Sequence, residues 1–568
     1  MRSICVPRLC LPAYVSASRG GRDGTGWAVT MGVYDIMCGM EKITTDISTF
    51  ENLRKGGYVY VDKTDLLWRL AADKDGRQFF ISRPRRFGKS LMLSTLKCIF
   101  EGKRDLFKGL KIAKMKYDWK KYPVVSLNMA KVKASTPEQL EKVLLGMVLR
   151  LASQFRVKLQ KMDLVTSGSA FCALLDRFAS RKRQYVVLVD EYDVPLQGFF
   201  GDRAALLRVR KIMHDFYVEL KNHEDDIRFL MLTGVTKLTK VSVFSGLNQL
   251  TDLTMKRKEY AALLGYTPEE IAESFPEGLD ELAKEVGTDR AGALRRLLDW
   301  YDSYRFSHRS EVRVCNPISI GQAISSHALE SYWVATAMAT LVMERIAAAG
   351  KTPADFEGCT ATVDELDICE ATELPAKSLM YQSGYLTIKG LSRTEVDEIG
   401  NPKFILGAPN HEVRGAIRAG WFNSIVKVPS TEFDALVDVA KRQVAAGDVR
   451  NLIGETLYRV YAKIPPEWKI RSEADVKRHF RLFMEMAGAK VAAEEGSAFG
   501  YADAIIETKK FVWVFEFKFN KSAKAAVRQI REKGYADQYK GDNRPVTLVG
   551  INFRTAKRNI DEPLFEVL

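Results

Sequence analysis

Apolar and polar positions along this chain switch between two periods, and the switches lay out its elements. Phe79, Phe80 and Ile81 form an apolar run ahead of a polar loop, Ser82 to Phe87; Leu91, Met92, Leu93 and Leu96 then recur at helical spacing. An apolar run bounded by turn residues predicts a buried strand, and recurrence every three to four residues predicts a helix. The strand signal returns at Tyr122–Asn128 (YPVVSLN), Gln184–Asp193 (QYVVLVDEYD) and Ile227–Gly234 (IRFLMLTG). Helical patterns lie between, at about 137–155 and 169–179. Tyr185–Val189 is apolar or aromatic throughout, as a central parallel strand buried on both faces requires. Strand alternating with helix predicts an α/β fold, a parallel sheet with helices on both faces.

Ahead of this block, residues 50–54 predict a short helix, Gly56–Thr64 (GGYVYVDKT) a turn and strand, and 65–71 an amphipathic helix. From Tyr260 to about Ile464 helical periodicity dominates, including a long segment over 290–306 (RAGALRRLLDWYDSYRF). The aromatic clusters there (Tyr301–Phe306, Tyr332 and Trp333, Tyr381–Tyr385) read as helical core more readily than as base-stacking platforms. The last hundred residues return to α/β: a helix capped by Ser472, strands at 500–506 and 511–519 (FVWVFEFKF), a helix over about 523–539, and a strand at 546–551.

At 568 residues the chain exceeds what one core supports, and roughly three or four domains are expected. The pattern divides it into 1–40, a disordered extension or a translation begun too early (Met31 and Met40 being alternative starts); 41–260, a P-loop domain; 261–465, a helical lid or winged-helix-like region; and 466–568, a separate α/β unit. A formal charge of +15 suits a polyanionic partner without specifying one. No run of about 18 apolar residues occurs, which predicts no membrane-spanning helix. Pro7, Arg8 and Pro12 interrupt what would be the apolar part of a signal peptide. The eight cysteines form no CxxC pair and the six histidines no ligand-spaced pair, so neither a disulfide framework nor a zinc site is expected, and a reducing, cytoplasmic setting is.

Two groups of residues carry candidate chemistry. In the first, strand, loop and helix surround Gly88, Lys89 and Ser90. A glycine lets backbone N–H groups approach phosphate oxygens, a lysine reaches the outer phosphates, and a hydroxyl holds Mg²⁺. The usual spacing, G-x-x-x-x-G-K-[ST], has Arg83 at its first glycine, and a basic turn before a buried helix is the plainer alternative. Asp190 and Glu191 end the central strand, where open α/β sheets bind ligands; Asp190 can join Ser90 on Mg²⁺, and Glu191 can polarise a water. Thr233 ends the next strand, where a polar side chain can touch the γ-phosphate or lytic water; Lys237 and Lys240 follow. In the second group, Glu516 and Lys518 leave one face of a strand and Asp503 lies thirteen positions earlier on a hairpin partner. Two acids can hold Mg²⁺ while the lysine orients water or stabilises phosphorane charge. An exposed edge hairpin with a salt-bridged face is the alternative. Glu473 and Gln529 stand on neighbouring helices.

From about residue 41 onward, GGYVYVDKT, RPRRFGKS, VDEYDVPL, TGVTKLTKVSVFSGLN, WYDSYRF, YQSGYLTI, APNHEVR, GYADAII, FEFKF and QIREKGYADQY occur in the order found in a bacterial family. The chain resembles proteins that join an AAA-ATPase-like domain to a C-terminal PD-(D/E)xK nuclease-superfamily domain. The resemblance implies ATP bound by Gly88, Lys89 and Ser90, with Asp190 on the metal side and Glu191 activating water. It implies a Mg²⁺-dependent nuclease built on Asp503, Glu516 and Lys518, with Glu473 a helix acid, acting on nucleic acid, DNA ahead of RNA, and leaves a homo-oligomer open. Arg83 matches the family's own phosphate loop; Tyr501 stands where the family often has a basic residue, and Ala337 where a glycine is frequent. A nucleotide-driven switch whose C-terminal fold binds nucleic acid without cutting it is the other expectation.

Overall fold

In the computed structural model, Val186 and Leu188 turn to one face of a strand and Tyr185, Val187 and Val189 to the other, and all five are buried. The structure describes residues 42–568 apart from 74–75, 181–183, 238–249, 334–336, 349–350, 368–374, 427–429, 465–469, 493–495 and 498–499. The expected extension 1–40, Lys240 and the later part of the TGVTKLTKVSVFSGLN motif lie outside the described residues.

The strand belongs to a five-stranded parallel sheet of β1 (Gln78–Ser82), β2 (Val124–Asn128), β3 (Tyr185–Asp190), β4 (Ile227–Gly234) and β5 (Thr251–Asp252), ordered β2-β3-β4-β1-β5. The phosphate-loop helix Lys89–Phe100 covers one face with Leu96, Ile99 and Phe100. The other face takes Leu144, Val148, Phe171 and Phe216 from helices Pro137–Gln154, Ser167–Ala179 and Arg203–Asn222. Each of these begins at a capping side chain, Thr136, Thr166 and Asp202, which accepts a backbone N–H of the first turn. The register brings Ser82 level with Gly234 and Asn128 level with Asp190, so the strands end together at one rim.

Five expectations are corrected, the last of them in the C-terminal sheet. GGYVYVDKT forms no ladder: Tyr58 makes one bridge to Lys42, and a helix starts at Thr64. The 290–306 helix stops at Tyr301, because Ser303 takes φ 98° and Tyr304 bridges Val314 instead. The mainly helical middle contains an antiparallel sheet of β6 (Thr360–Ala361), β7 (Thr387–Val396) and β8 (Pro402–Gly407). The 523–539 helix ends at Glu532, where Gly534 turns left-handed (φ 59°).

The C-terminal region comprises β9 (Val491–Ala492), a small ribbon of β10 (Gly496–Ser497) and β11 (Gly500–Tyr501), then β12 (Ala504–Glu507), β13 (Val512–Phe519), β14 (Val546–Arg554), β15 (Asn559–Ile560) and β16 (Leu564–Val567). The main sheet runs β15-β14-β13-β12-β9, with β16 also on β14; β13 and β14 are parallel and β12 antiparallel to β13. The expected 500–506 strand is thus broken at Ala502 and Asp503. One continuous cluster of buried apolar side chains runs from Phe79 through Tyr304 and Trp421 to Phe515 and Phe553. Among the described residues, no helix is long and apolar enough to cross a membrane.

Candidate functional site

At the rim where β1, β3 and β4 end, Ser90 Oγ donates to Asp190 Oδ2 (2.6 Å) and Thr233 Oγ1 donates to Asp190 Oδ1 (2.7 Å). Three residues from three elements share one buried carboxylate. Gly88 sits at φ 87°, a conformation that favours glycine, and starts the helix that carries Lys89 and Ser90. Lys89 is buried, and its ammonium donates to the Arg83 and Pro84 carbonyls at 2.9 and 3.0 Å. Burial lowers its pKa against the pull of Glu191, Asp190 and Asp193. Glu191 is held left-handed (φ 51°), a strained conformation of the kind found at functional sites. Burial raises its carboxyl, which makes it the better proton acceptor.

Arg83, at the position of the missing glycine, is not a surface turn residue. Its side chain is buried over the Phe306 ring at 4.2 Å and donates to the Ser82 and Thr254 carbonyls, while Nε and Nη2 find no partner; burial pushes it down to about 10. Phe87 stands edge-on to Tyr304 and Phe306 at 4.9 and 5.3 Å. The loop is therefore seated on the extended segment that follows the 290–301 helix.

Sequence alone did not single out Asp193 or the walls of the adjoining cavity. Asp193 accepts from Gln197 Nε2 (3.0 Å), the Thr236 N–H (2.9 Å) and Thr236 Oγ1 (2.6 Å), tying the ends of β3 and β4 together. Gly234 permits this approach, since a Cβ there would lie 2.5 Å from the Tyr192 ring. A cavity of about 220 Å³ opens beside the phosphate loop, with Gly88, Lys89, Ser90 and Glu191 at one end and Val59, Val61, Leu263, Leu264, Tyr266 and Ile318 along its apolar walls. An apolar slot beside a cradle of N–H donors and an ammonium fits a nucleotide. Lys63 locks the Val59–Val61 wall by pairing with Glu270 (2.6 Å) and the Ala262 carbonyl. The available signal was GGYVYVDKT, whose alternation reflects this wall rather than a strand.

In the C-terminal sheet Ala504 pairs with Phe515, so Asp503 enters opposite Glu516. Asp503 Oδ2 accepts the Phe517 N–H at 2.8 Å. Lys518 Nζ donates to Glu516 Oε1 and to the Phe517 carbonyl, both at 2.8 Å. Glu516 and Lys518 are buried and pair with Gly550 and Asn552 of β14, which removes the exposed edge-hairpin alternative. Glu516 Oε2 is buried without a partner, and burial, with Asp503 adding to it, pushes this carboxyl to about 7. An orphaned carboxylate oxygen beside a second acid fits a hard divalent cation such as Mg²⁺. From helix Glu473–Met486, Lys477 pairs with Glu473 one turn before it (3.2 Å) and also with Asp503, the second a contact sequence spacing does not reveal. Gln529 is turned to the Tyr535 hydroxyl (3.4 Å).

The class follows from two family models: residues 44–244 match the one described as "Predicted AAA-ATPase", and residues 471–563 match the PD-(D/E)XK nuclease superfamily. The chain thus joins an ATPase-like P-loop domain to a nuclease-superfamily domain. A curated relative, the "Uncharacterized protein in vnfD 5'region" of Azotobacter chroococcum mcd 1, is 29% identical over 547 residues, 92% of this chain and 98% of that one. Among solved structures, the ORC2 protein of Aeropyrum pernix in ADPNP-ADP complexes aligns at 11% identity and TM-score 0.29, over 78% of this chain and 86% of that one. The ORC1 protein of the same organism in complex with DNA aligns at 12% and 0.23, over 62% and 89%.

Proposed function

We propose that this protein binds and hydrolyses ATP at the Gly88–Lys89–Ser90 loop and uses that turnover to license Mg²⁺-dependent cleavage of nucleic acid, DNA foremost, at Asp503, Glu516 and Lys518. The work divides between residues 41–260 and 466–568, with 261–465 between them. The observation that carries the reading is the buried, partnerless Glu516 oxygen between Asp503 and Lys518. Bound Mg²⁺ supplies Lewis-acid charge at both sites. Lys89 binds the outer phosphates, Ser90 and Asp190 hold the metal side, Thr233 fixes Asp190, and Glu191 takes the proton of the attacking water. At the second site Asp503 and Glu516 hold the cation, and Lys518 orients water or steadies the developing phosphorane charge.

The test is an ATPase and nuclease assay on one sample, with plasmid, linear duplex and single-stranded substrates. Lys89→Ala should abolish ATP binding, whereas Glu191→Gln should keep binding and lose hydrolysis, by about 10²-fold or more. Glu516→Ala should lower Mg²⁺ affinity and rate; Lys518→Ala should remove cleavage, by roughly 10²-fold or more, with metal binding nearly intact. Both should spare ATP hydrolysis. Undiminished cutting by Lys518→Ala at saturating Mg²⁺ refutes the nuclease assignment. The second reading, a switch that binds without cutting, draws on Lys477 already neutralising Asp503; metal-independent binding with no cleavage of any substrate would select it.

A further inference from the structure

Cys172 and Asp176 lie one turn apart on helix Ser167–Ala179, hence on one face, and His223 caps the end of helix Arg203–Asn222 beside them. In sequence the histidine is far from the other two, which is why ligand spacing gave no hint of the group. His223 Nδ1 lies 2.8 Å from the Glu219 backbone carbonyl, an acceptor only, so the ring carries its proton there. That hydrogen bond aims the Nε2 lone pair at Asp176 Oδ1, 3.1 Å away. Two acceptors so close require a cation, either a second proton on the ring or a metal. The Cys172 thiol lies 3.8 Å from Asp176 Oδ2, and the three donor atoms all fall within 4.8 Å of one another.

Zinc–nitrogen and zinc–oxygen bonds of about 2.0–2.2 Å and a zinc–sulfur bond of about 2.3 Å, at tetrahedral angles, give edges of roughly 3.3 Å for N···O and roughly 3.6 Å for S···O. The observed Nε2···Oδ1 separation of 3.1 Å is close to the first edge, and the thiol stands 3.8 Å from the other carboxylate oxygen, Oδ2. His223 is buried, Cys172 half-buried and Asp176 exposed, so the deepest ligand is fixed by its backbone partner and the rim stays open for entry. Glu219, one turn before His223, faces the thiol and is at hand as a fourth ligand.

We propose that Cys172, Asp176 and His223 bind a zinc-class divalent cation, with Glu219 or water completing a tetrahedron, and that the ion pins two helices on one face of the ATPase sheet. It is separate from both Mg²⁺ sites and contributes stability rather than chemistry.

The test uses the full chain, stripped of metal and titrated with Co²⁺. A thiolate–Co²⁺ charge-transfer band should saturate at one equivalent and vanish on adding Zn²⁺. The acids at Asp503 and Glu516 offer only oxygen and give no such band, which separates this ion from the nuclease metal. Cys172→Ser should abolish the band; Asp176→Asn and His223→Gln should weaken Co²⁺ binding at least tenfold, and Zn²⁺ should raise the parent's melting temperature but not that of Cys172→Ser. If Cys172→Ser does not fold, the other two variants carry the same readout. Absence of the band in the parent at stoichiometric Co²⁺, or its persistence in Cys172→Ser, overturns the proposal in favour of a plain histidine–carboxylate ion pair.

Discussion

His479 packs against Trp421 with ring centroids 5.6 Å apart, and its Nδ1 is buried without a partner. Burial holds it down to about 4, with Asp475 opposing and Arg478 adding to the shift. Because the folded value lies below the ordinary 6.5, its contribution to stability is fully present above that value and is lost as pH falls through about 4. Parent melting temperature should therefore drop between about pH 6.5 and 4, and His479→Phe, which gives up no Nδ1 hydrogen bond among the described residues, should flatten that slope; equal slopes would remove the residue from the acid response. Its partner was not legible in the sequence, because Trp421 is brought to it by helix docking. The same limit divides the group around Glu516. Glu516 and Lys518 could be paired from strand period and Asp503 from its interval before them, whereas Lys477 depends on how a separate helix lies across the sheet.

The phosphate loop works as an element because aromatic side chains outside it hold its shape. Phe87 and Arg83 seat on Phe306, and Phe87 also on Tyr304, so restoring the usual glycine removes a support rather than a blemish. Arg83→Gly should lower both melting temperature and ATP affinity; improved ATP binding would show that the arginine is only tolerated. Phe87→Ala should cost about 3–5 kcal/mol of stability, the usual scale for a buried Phe, measured by denaturant unfolding. The central strands were legible because each is apolar on both faces. The β7–β8 hairpin was not, since Thr387–Val396 mixes Lys, Ser, Arg and Glu among its apolar residues and is exposed over most of its length. Its turn did leave a signal, Ile-Gly-Asn-Pro at 399–402, where Gly400 takes φ 86° and Asp397 accepts the Ile399 and Asn401 N–H groups.

At the scale of the whole molecule, a route of packed contacts joins the phosphate loop to Asp503. Asn316 caps helix Pro317–Ser326 and reaches the Arg85 carbonyl at 3.4 Å, a weak contact at the loop itself. Ser319 of that helix donates to Glu412 Oε2 (2.9 Å), and Glu412 Oε1 accepts the Tyr332 and Trp333 N–H groups. Glu412 stands in the first turn of helix His411–Val426, and two turns on Arg418 pairs with Glu485. Glu485 ends the helix that presents Glu473 and Lys477 to Asp503. If nucleotide turnover licenses cutting, a shift of the loop can reach Asp503 by this path without moving the sheets. Arg418→Ala should then leave ATP hydrolysis and nucleotide-free cleavage unchanged while the ratio of cleavage rates with and without ATP falls toward one. The parent ratio should lie in the range of about 5–150-fold that coupling of 1–3 kcal/mol produces. Glu485→Ala should behave alike, and the double variant should add nothing, because either single change already breaks the pair. A ratio untouched by all three variants would show that this helix holds the domains together without transmitting the state of the nucleotide.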